Sequence, residues 1–402
     1  MKFRVSESFI LTLLLVYNST KASILAISPV TLVLSLILVL YLFKKKEKKI
    51  DKLFVNFSVL FFLVNVFFIL SLPKFDLFLT GYIYLKFFYV YLSVKIIGLD
   101  FFKNIVKIGY YGSAVSLFFF TCQLINFDFT FKLVGLFQNS FDILSFRNEQ
   151  LANNFLFTIK STAPLRNSGF MWEPKGFANF LIISIFFHLV TNKFRILNVK
   201  FLVMISALIT TFSTAGFLAL FVLFIFYYLN KNLKILVLIF PIYLVSAILI
   251  FVNVDFLYNK IIYELSLTDR HEVLLYEKTD YETDTYSLGR TASFILDFSD
   301  WIERPFFGYG FTRENRTQSE YVKLIRVNGI SDMLCIYGGL GLFFYFYLHH
   351  VFLKKLQQKF NFRFGFIFIL VLIILYFGSN LTSHPLWMSL IFLSVPFNKL
   401  SK

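Results

Sequence analysis

Apolar residues along this chain fall into blocks of roughly bilayer-spanning length, separated mostly by short polar gaps. Twelve blocks are read, at about 5–20, 22–43, 53–72, 77–97, 105–125, 173–191, 198–212, 214–230, 235–252, 328–349, 364–380 and 385–398. A helix crosses a bilayer with about 20 apolar residues. The first block is short, and the pair at 198–230 is closely joined. The pattern predicts an all-α, polytopic membrane bundle of about 12 transmembrane helices, with residues 1–402 forming a single integral membrane domain.

Composition agrees. The 402 residues are 58% hydrophobic and 15% charged, against about 25% charged in ordinary soluble domains. Too few polar residues remain to coat a soluble core. The net charge of +16 is dispersed between apolar blocks, so it does not suggest a nucleic-acid partner; the bilayer is the expected surroundings. Cys122 and Cys335 lie in apolar segments without partner spacing and suggest neither a disulfide framework nor a metal site. The basic start, Met1 to Arg4, followed by the Phe9 to Tyr17 run, reads as a signal anchor rather than a cleaved leader. The 58 phenylalanines are given no functional weight.

Basic residues set orientation, because lysine and arginine concentrate on the cytoplasmic side. The two termini and the even-numbered gaps carry 21 of them, including six lysines between Lys44 and Lys52. The four short odd-numbered gaps carry only Lys21 and Lys74. Both termini are therefore expected in the cytoplasm, a parity that twelve spans preserve. Two long loops then fall outside, at 126–172 and 253–327. The second holds 13 of the 23 acidic residues. Within it an amphipathic helix is expected near Asp255 to Leu267, an acidic patch at Glu277 to Asp284, and a helix from Thr291 to Ile302 ending at Pro305 and the PFFGYGF turn. No internal repeat is visible, which counts against an inverted-repeat transporter.

Three polar clusters could carry chemistry. Arg166 to Asn179 (RNSGFMWEPKGFAN) opens a span with Pro174 in the first helical turn. Arg166 offers a planar fork suited to phosphate, and the helix amino end adds N–H groups and positive dipole. An anion site is expected there. The same dipole favours ionised Glu173, so an orienting or charge-balancing role is preferred over a general base; an Arg–Glu pair that merely seats the loop is the plainer alternative. Trp172 reads most simply as an interface anchor. In Ser287 to Phe311, Arg290 is a second anion-binding candidate from the other long loop. Arg304 is as readily a solvated loop residue as a functional one, and Asp297, Asp300 and Glu303 at helical spacing read as a wet face. In the last external turn, Ser379 to Pro385, His384 has chemistry suited to a base, although a lone histidine is more often structural. No P-loop, nucleophile elbow, dinucleotide fingerprint or metal set is present.

These residues resemble the O-antigen polymerase and O-antigen ligase superfamily of bacterial envelope glycan enzymes. RNSGFMWEPKGFAN looks like its arginine–glycine–Glu-Pro segment, TTFSTAG at 210–216 like its Thr-x-Ser turn, Gly289-Arg290 through PFFGYG like the end of its large periplasmic loop, and NGISDMLCIYGGLG from Asn328 like the span that follows. Thr214 stands where the family commonly has arginine. Val327, not histidine, precedes Asn328, which favours polymerase over ligase. The resemblance implies a Wzy-type polymerase in the bacterial inner membrane, joining repeat units carried on undecaprenyl diphosphate at the periplasmic face. It implies Arg166, Glu173, Arg290 and His384 as catalytic residues, with Arg166, Arg290, Arg304 and Asn328 binding substrate, and no cofactor or metal. A chain-length regulator and a flippase are candidate partners. The alternatives are an O-antigen ligase, with a lipid A core acceptor, and a non-catalytic glycan transporter or flippase.

Overall fold

The computed structural model describes residues 6–136, 151–161, 163–231, 285–318 and 323–399. The expected span at 235–252, helix at 255–267 and acidic patch at 277–284 lie outside the described residues. Every other apolar block has a helix. These are α1 (Glu7–Tyr17), α2 (Ile24–Ile27), α3 (Pro29–Lys45), α4 (Lys52–Ser71), α5 (Leu77–Ile97), α6 (Asp100–Ile125), α7 (Phe127–Gly135), α8 (Pro174–Thr191), α9 (Val199–Ile209), α10 (Thr214–Lys231), α11 (Arg290–Glu303), α12 (Gly329–Phe360), α13 (Ile367–Gly378) and α14 (Pro385–Phe392). Among the described residues six helices, α4, α5, α6, α8, α10 and α12, are long and apolar enough to cross a membrane. Others, such as α1, α9 and α13, are shorter than a full span.

The chain is not purely helical. In the first long loop β1 (Leu151–Asn153) pairs antiparallel with β2 (Thr158–Lys160). In the second, β3 (Thr285–Ser287) pairs in parallel with β4 (Lys323–Ile325), so the two ends of that loop are tied together.

Helix α8 organises the bundle. Nearly all of its residues, from Phe177 to Val190, are buried, as expected of a helix apolar on every face. It packs against α6, α9 and α10. Its amino end therefore emerges at the middle of one end of the bundle, and that is where the polar loops gather. Closest packing occurs at small residues: a Cβ on Gly109 of α6 would lie 2.7 Å from the Ser184 side chain of α8, and one on Gly216 of α10 would lie 2.9 Å from Ala178. At the opposite end Asp51 meets Lys95 and Tyr91 in a small polar cluster.

Helix α12 is broken at Gly338, where φ is +67°. The loop 305–310 is inserted into the break. Tyr309 and Gly310 donate backbone N–H groups to the carbonyls of Cys335 and Ile336, both at 2.9 Å, and Gly339 donates to Pro305 at 2.7 Å. Gly308, at φ +74°, sits so close that a Cβ there would overlap the Cys335 carbonyl. The two glycine-rich motifs of the sequence are halves of one joint, and the groups freed by the helix break are satisfied by the loop.

Candidate anion site at the loop end of the bundle

Four separate segments meet around the carboxyl end of α13. Arg166, in the loop before α8, donates from Nε to the Thr211 carbonyl at 3.1 Å and from a terminal nitrogen to the Phe212 carbonyl at 3.2 Å. Its neighbour Asn167 bonds the Thr210 backbone and hydroxyl, both at 2.9 Å. The α9–α10 turn is thereby clamped to the loop. Arg290, the first residue of α11, donates from Nε to the Gly378 carbonyl at 3.1 Å. Lys175, in the first turn of α8, runs alongside: a Cβ on Gly378 would lie 3.0 Å from its ammonium nitrogen and 3.5 Å from Ala215.

The electrostatics follow from this convergence. Burial shifts Arg166 below the usual guanidinium range, and Arg290 pushes it the same way while Glu173 opposes. Both arginines are oriented by carbonyl oxygens, which fix the guanidinium planes without cancelling their charge. No carboxylate lies within 4 Å of either among the described residues. Two guanidinium groups that repel one another, beside a lysine and a helix amino terminus, form a place where an anion is favoured. Glu173 stands exposed at the N-cap of α8 and makes no side-chain cap bond. It lies within electrostatic reach of Arg166 and Lys21. The loop is seated by the 211–212 carbonyls rather than by an Arg166–Glu173 ion pair. Trp172 is half-buried beneath Lys160, 4.3 Å from its ring centre, and its backbone N–H bonds Thr20.

His384 caps α14 in the turn after α13. Burial drives its imidazole well below the usual range, and Lys21 and Lys86 push in the same direction. The ring is held neutral, with little strength as a base. Lys86 itself reaches the Ser383 carbonyl at 3.5 Å and lies over Tyr82.

Two other expected binding residues are placed elsewhere. Asn328 is buried, and its Oδ1 accepts the Ile330 and Ser331 N–H groups, capping α12. Its amide side reaches only the Arg290 carbonyl, so it supports the arginine rather than facing a ligand. Arg304, at the other end of α11 from Arg290, bonds the Ser71 carbonyl and covers the Tyr309 ring. Neither joins the cluster around Gly378.

Sequence reasoning missed a buried ion network. Asp297 and Asp300 are not a wet face but are buried. Arg326 bonds Asp297 and Asp300, each at 2.6 Å, and Arg316 bonds Asp332 at 2.6 Å. Ser331 donates to Asp297 at 2.6 Å, and Asn380 donates to Asp332 at 2.5 Å. Three carboxylates thus face two guanidinium groups, and burial of the surplus charge raises Asp297 to about 6. The available signal was the stripe Ser293, Asp297, Asp300 along α11, which continues into the face carrying Ala292 and Leu296.

Residues 199–346 match the family model described as Wzy_C, O-antigen ligase. That match supports the O-antigen polymerase and ligase superfamily. The matched stretch holds the 210–216 turn, Arg290 and the 305–310 joint, whereas Arg166 reaches it from outside. No curated protein and no solved structure matches.

Proposed function

We propose that the protein is a polymerase of oligosaccharide repeat units linked to undecaprenyl diphosphate, working at the periplasmic face of the bacterial inner membrane. In this reading the chain has about twelve spans with both termini in the cytoplasm, and the loop end of the bundle faces outward. The observation that carries the reading is that Arg166 and Arg290, from two different long loops, come within electrostatic reach of one another, with Arg166 held by the 211–212 carbonyls and Arg290 beside Lys175 at Gly378.

The chemistry suits that pair. No nucleotide is needed, because the diphosphate-linked sugar is the activated donor. A hydroxyl of the acceptor sugar attacks the anomeric carbon and gives up its proton to solvent water, while the bond from that carbon to the diphosphate oxygen breaks. Negative charge grows on the departing diphosphate, where Arg166, Arg290 and Lys175 stabilise it; Glu173 balances and orients the cations. Preorganised donors aimed at developing charge contribute roughly 10²- to 10³-fold each. The positive charge comes from side chains, so the proposed mechanism is metal-independent. A chain-length regulator and a flippase are proposed partners.

The description of the matching family keeps an O-antigen ligase as the second reading, with the same donor site and a lipid A core acceptor. Gene deletion separates them. Loss of a polymerase leaves single repeats on the lipid core, and loss of a ligase leaves long polymer on its carrier that never reaches the core. Arg166→Ala with normal expression and normal chain length would remove the assignment of the site.

A further inference from the structure

Beyond the turn that follows α13 lies a second polar cavity, of about 260 Å³, that the anion site does not use. Lys86, Arg313, Arg316, Asp332, Asn380 and Tyr337 are among its lining residues, and none of Arg166, Lys175 and Arg290 is. The two places share a wall: the Gly378 carbonyl serves the first, while Asn380, Thr382 and Ser383 face the second. The Nε groups of Arg316 and Arg326, both buried, have no acceptor. A buried donor without a partner is costly.

This cavity adjoins an apolar groove of about 190 Å³. Phe311, Tyr337 and Thr382 line both. The groove runs between α4 and α12, over Phe61, Val64, Phe68 and Phe344, and reaches the outer surface at Leu340, which is 52% exposed. An apolar channel that ends in a polar, cationic cavity complements one kind of molecule: a long hydrocarbon chain with an anionic, hydroxyl-rich head. Planar polar groups beside an aromatic ring also suit a sugar, whose hydroxyls need donors and acceptors while its C–H face packs on the ring.

We infer that this groove and cavity form the acceptor site, holding the polyprenyl chain of the acceptor along α4 and α12, its diphosphate at Lys86 and Arg313, and its first sugar against Asp332, Asn380 and Tyr337. The inference rests on the polymerase reading, in which both substrates are polyprenyl-linked and two lipid routes must reach one centre. A single narrow groove takes one isoprenoid chain, not the several acyl chains of a lipid A core.

The test uses the full chain in nanodiscs with benzoylphenylalanine at Leu340, at Val64 in a second variant, and at the exposed Phe118 of α6 as a control. The probe is a radiolabelled polyprenyl-diphosphate-linked N-acetylhexosamine. Labelling is expected at positions 340 and 64 well above position 118. It should fall about tenfold or more in a Lys86→Met, Arg313→Ala background, which removes charge-assisted contacts, and stay unchanged with Arg166→Ala. Equal labelling at 118, or equal loss with Arg166→Ala, overturns the inference, as does displacement of the probe by lipid A core but not by unlabelled polyprenyl saccharide. Normal polymer length with Arg166→Ala would instead sink the anion-site reading and leave the labelling result standing.

Discussion

Arg290 donates its Nε–H to the carbonyl of Gly378 at 3.1 Å, so an arginine that opens a loop helix is aimed by the last residue of the apolar helix α13. The bond uses a neutral acceptor, and the guanidinium keeps its charge for a ligand. Arg290→Ala is expected to lower polymer synthesis about 10²- to 10³-fold, with Arg290→Lys recovering only part, since an ammonium lacks the planar fork. Chain-length analysis in a deletion strain, with membrane levels of the protein held equal, checks this.

Gly378 also leaves room for Lys175. A Cβ at that position would come within 2.8 Å of the lysine Cε. Gly378→Ala should therefore push Lys175 aside without disturbing the bundle, because the far end of a flexible side chain gives way easily. The expected outcome is reduced activity at unchanged melting temperature; an unfolded protein would show instead that the helix end itself needs glycine.

The joint between the 305–310 loop and α12 gives a stability prediction. Gly308 and Gly338 both have positive φ, and a Cβ on either would overlap backbone of the other segment. Gly338→Ala is expected to cost at least about 2 kcal/mol, read as a drop in melting temperature in detergent. Gly339→Ala, where a Cβ would lie 3.2 Å from the Pro305 carbonyl, should cost less.

Much of this arrangement was legible in the chain. The apolar blocks marked the helices, PFFGYGF marked a turn, and Arg166 and Arg290 stood out as anion-binding candidates from residue type and loop position. Their convergence was not, because no pattern along the chain says that residues 166, 211, 290 and 378 share one end of a bundle. The ion network was misread for a related reason. Asp297 and Asp300 at helical spacing look solvated until Arg316 and Arg326 return to cover them. Asn328 was misread because its capping bonds to Ile330 and Ser331 are local backbone geometry, invisible in residue type. The break in α12 was hidden within a continuous apolar run.

The network predicts a particular pH response. Burial raises Asp297 to about 6, above the roughly 3.9 of an unfolded aspartate. Between those values the folded protein binds the extra proton, so this group's contribution is present at low pH and is lost as pH rises towards 6. Asp297→Asn should flatten that part of the melting-temperature profile. Arg326→Met leaves buried carboxylates unpaired and should cost about 3–5 kcal/mol.

His384 gives the opposite sign and decides its own role. Its folded-state pKa lies well below the usual value because of burial, Lys21 and Lys86. The unfolded chain takes up the proton first as pH falls through about 6.5, so the stability this residue contributes is present above that pH and lost below it. His384→Gln should remove the acid-side loss in melting temperature. A general base titrating near 6.5 would make the transfer rate fall through the same range, and its replacement would abolish the reaction. The neutral, lysine-flanked ring predicts instead that wild type and His384→Gln keep the same shape of rate profile and differ by less than about tenfold. Loss of about 10²-fold or more, with normal membrane levels, would restore His384 as the base.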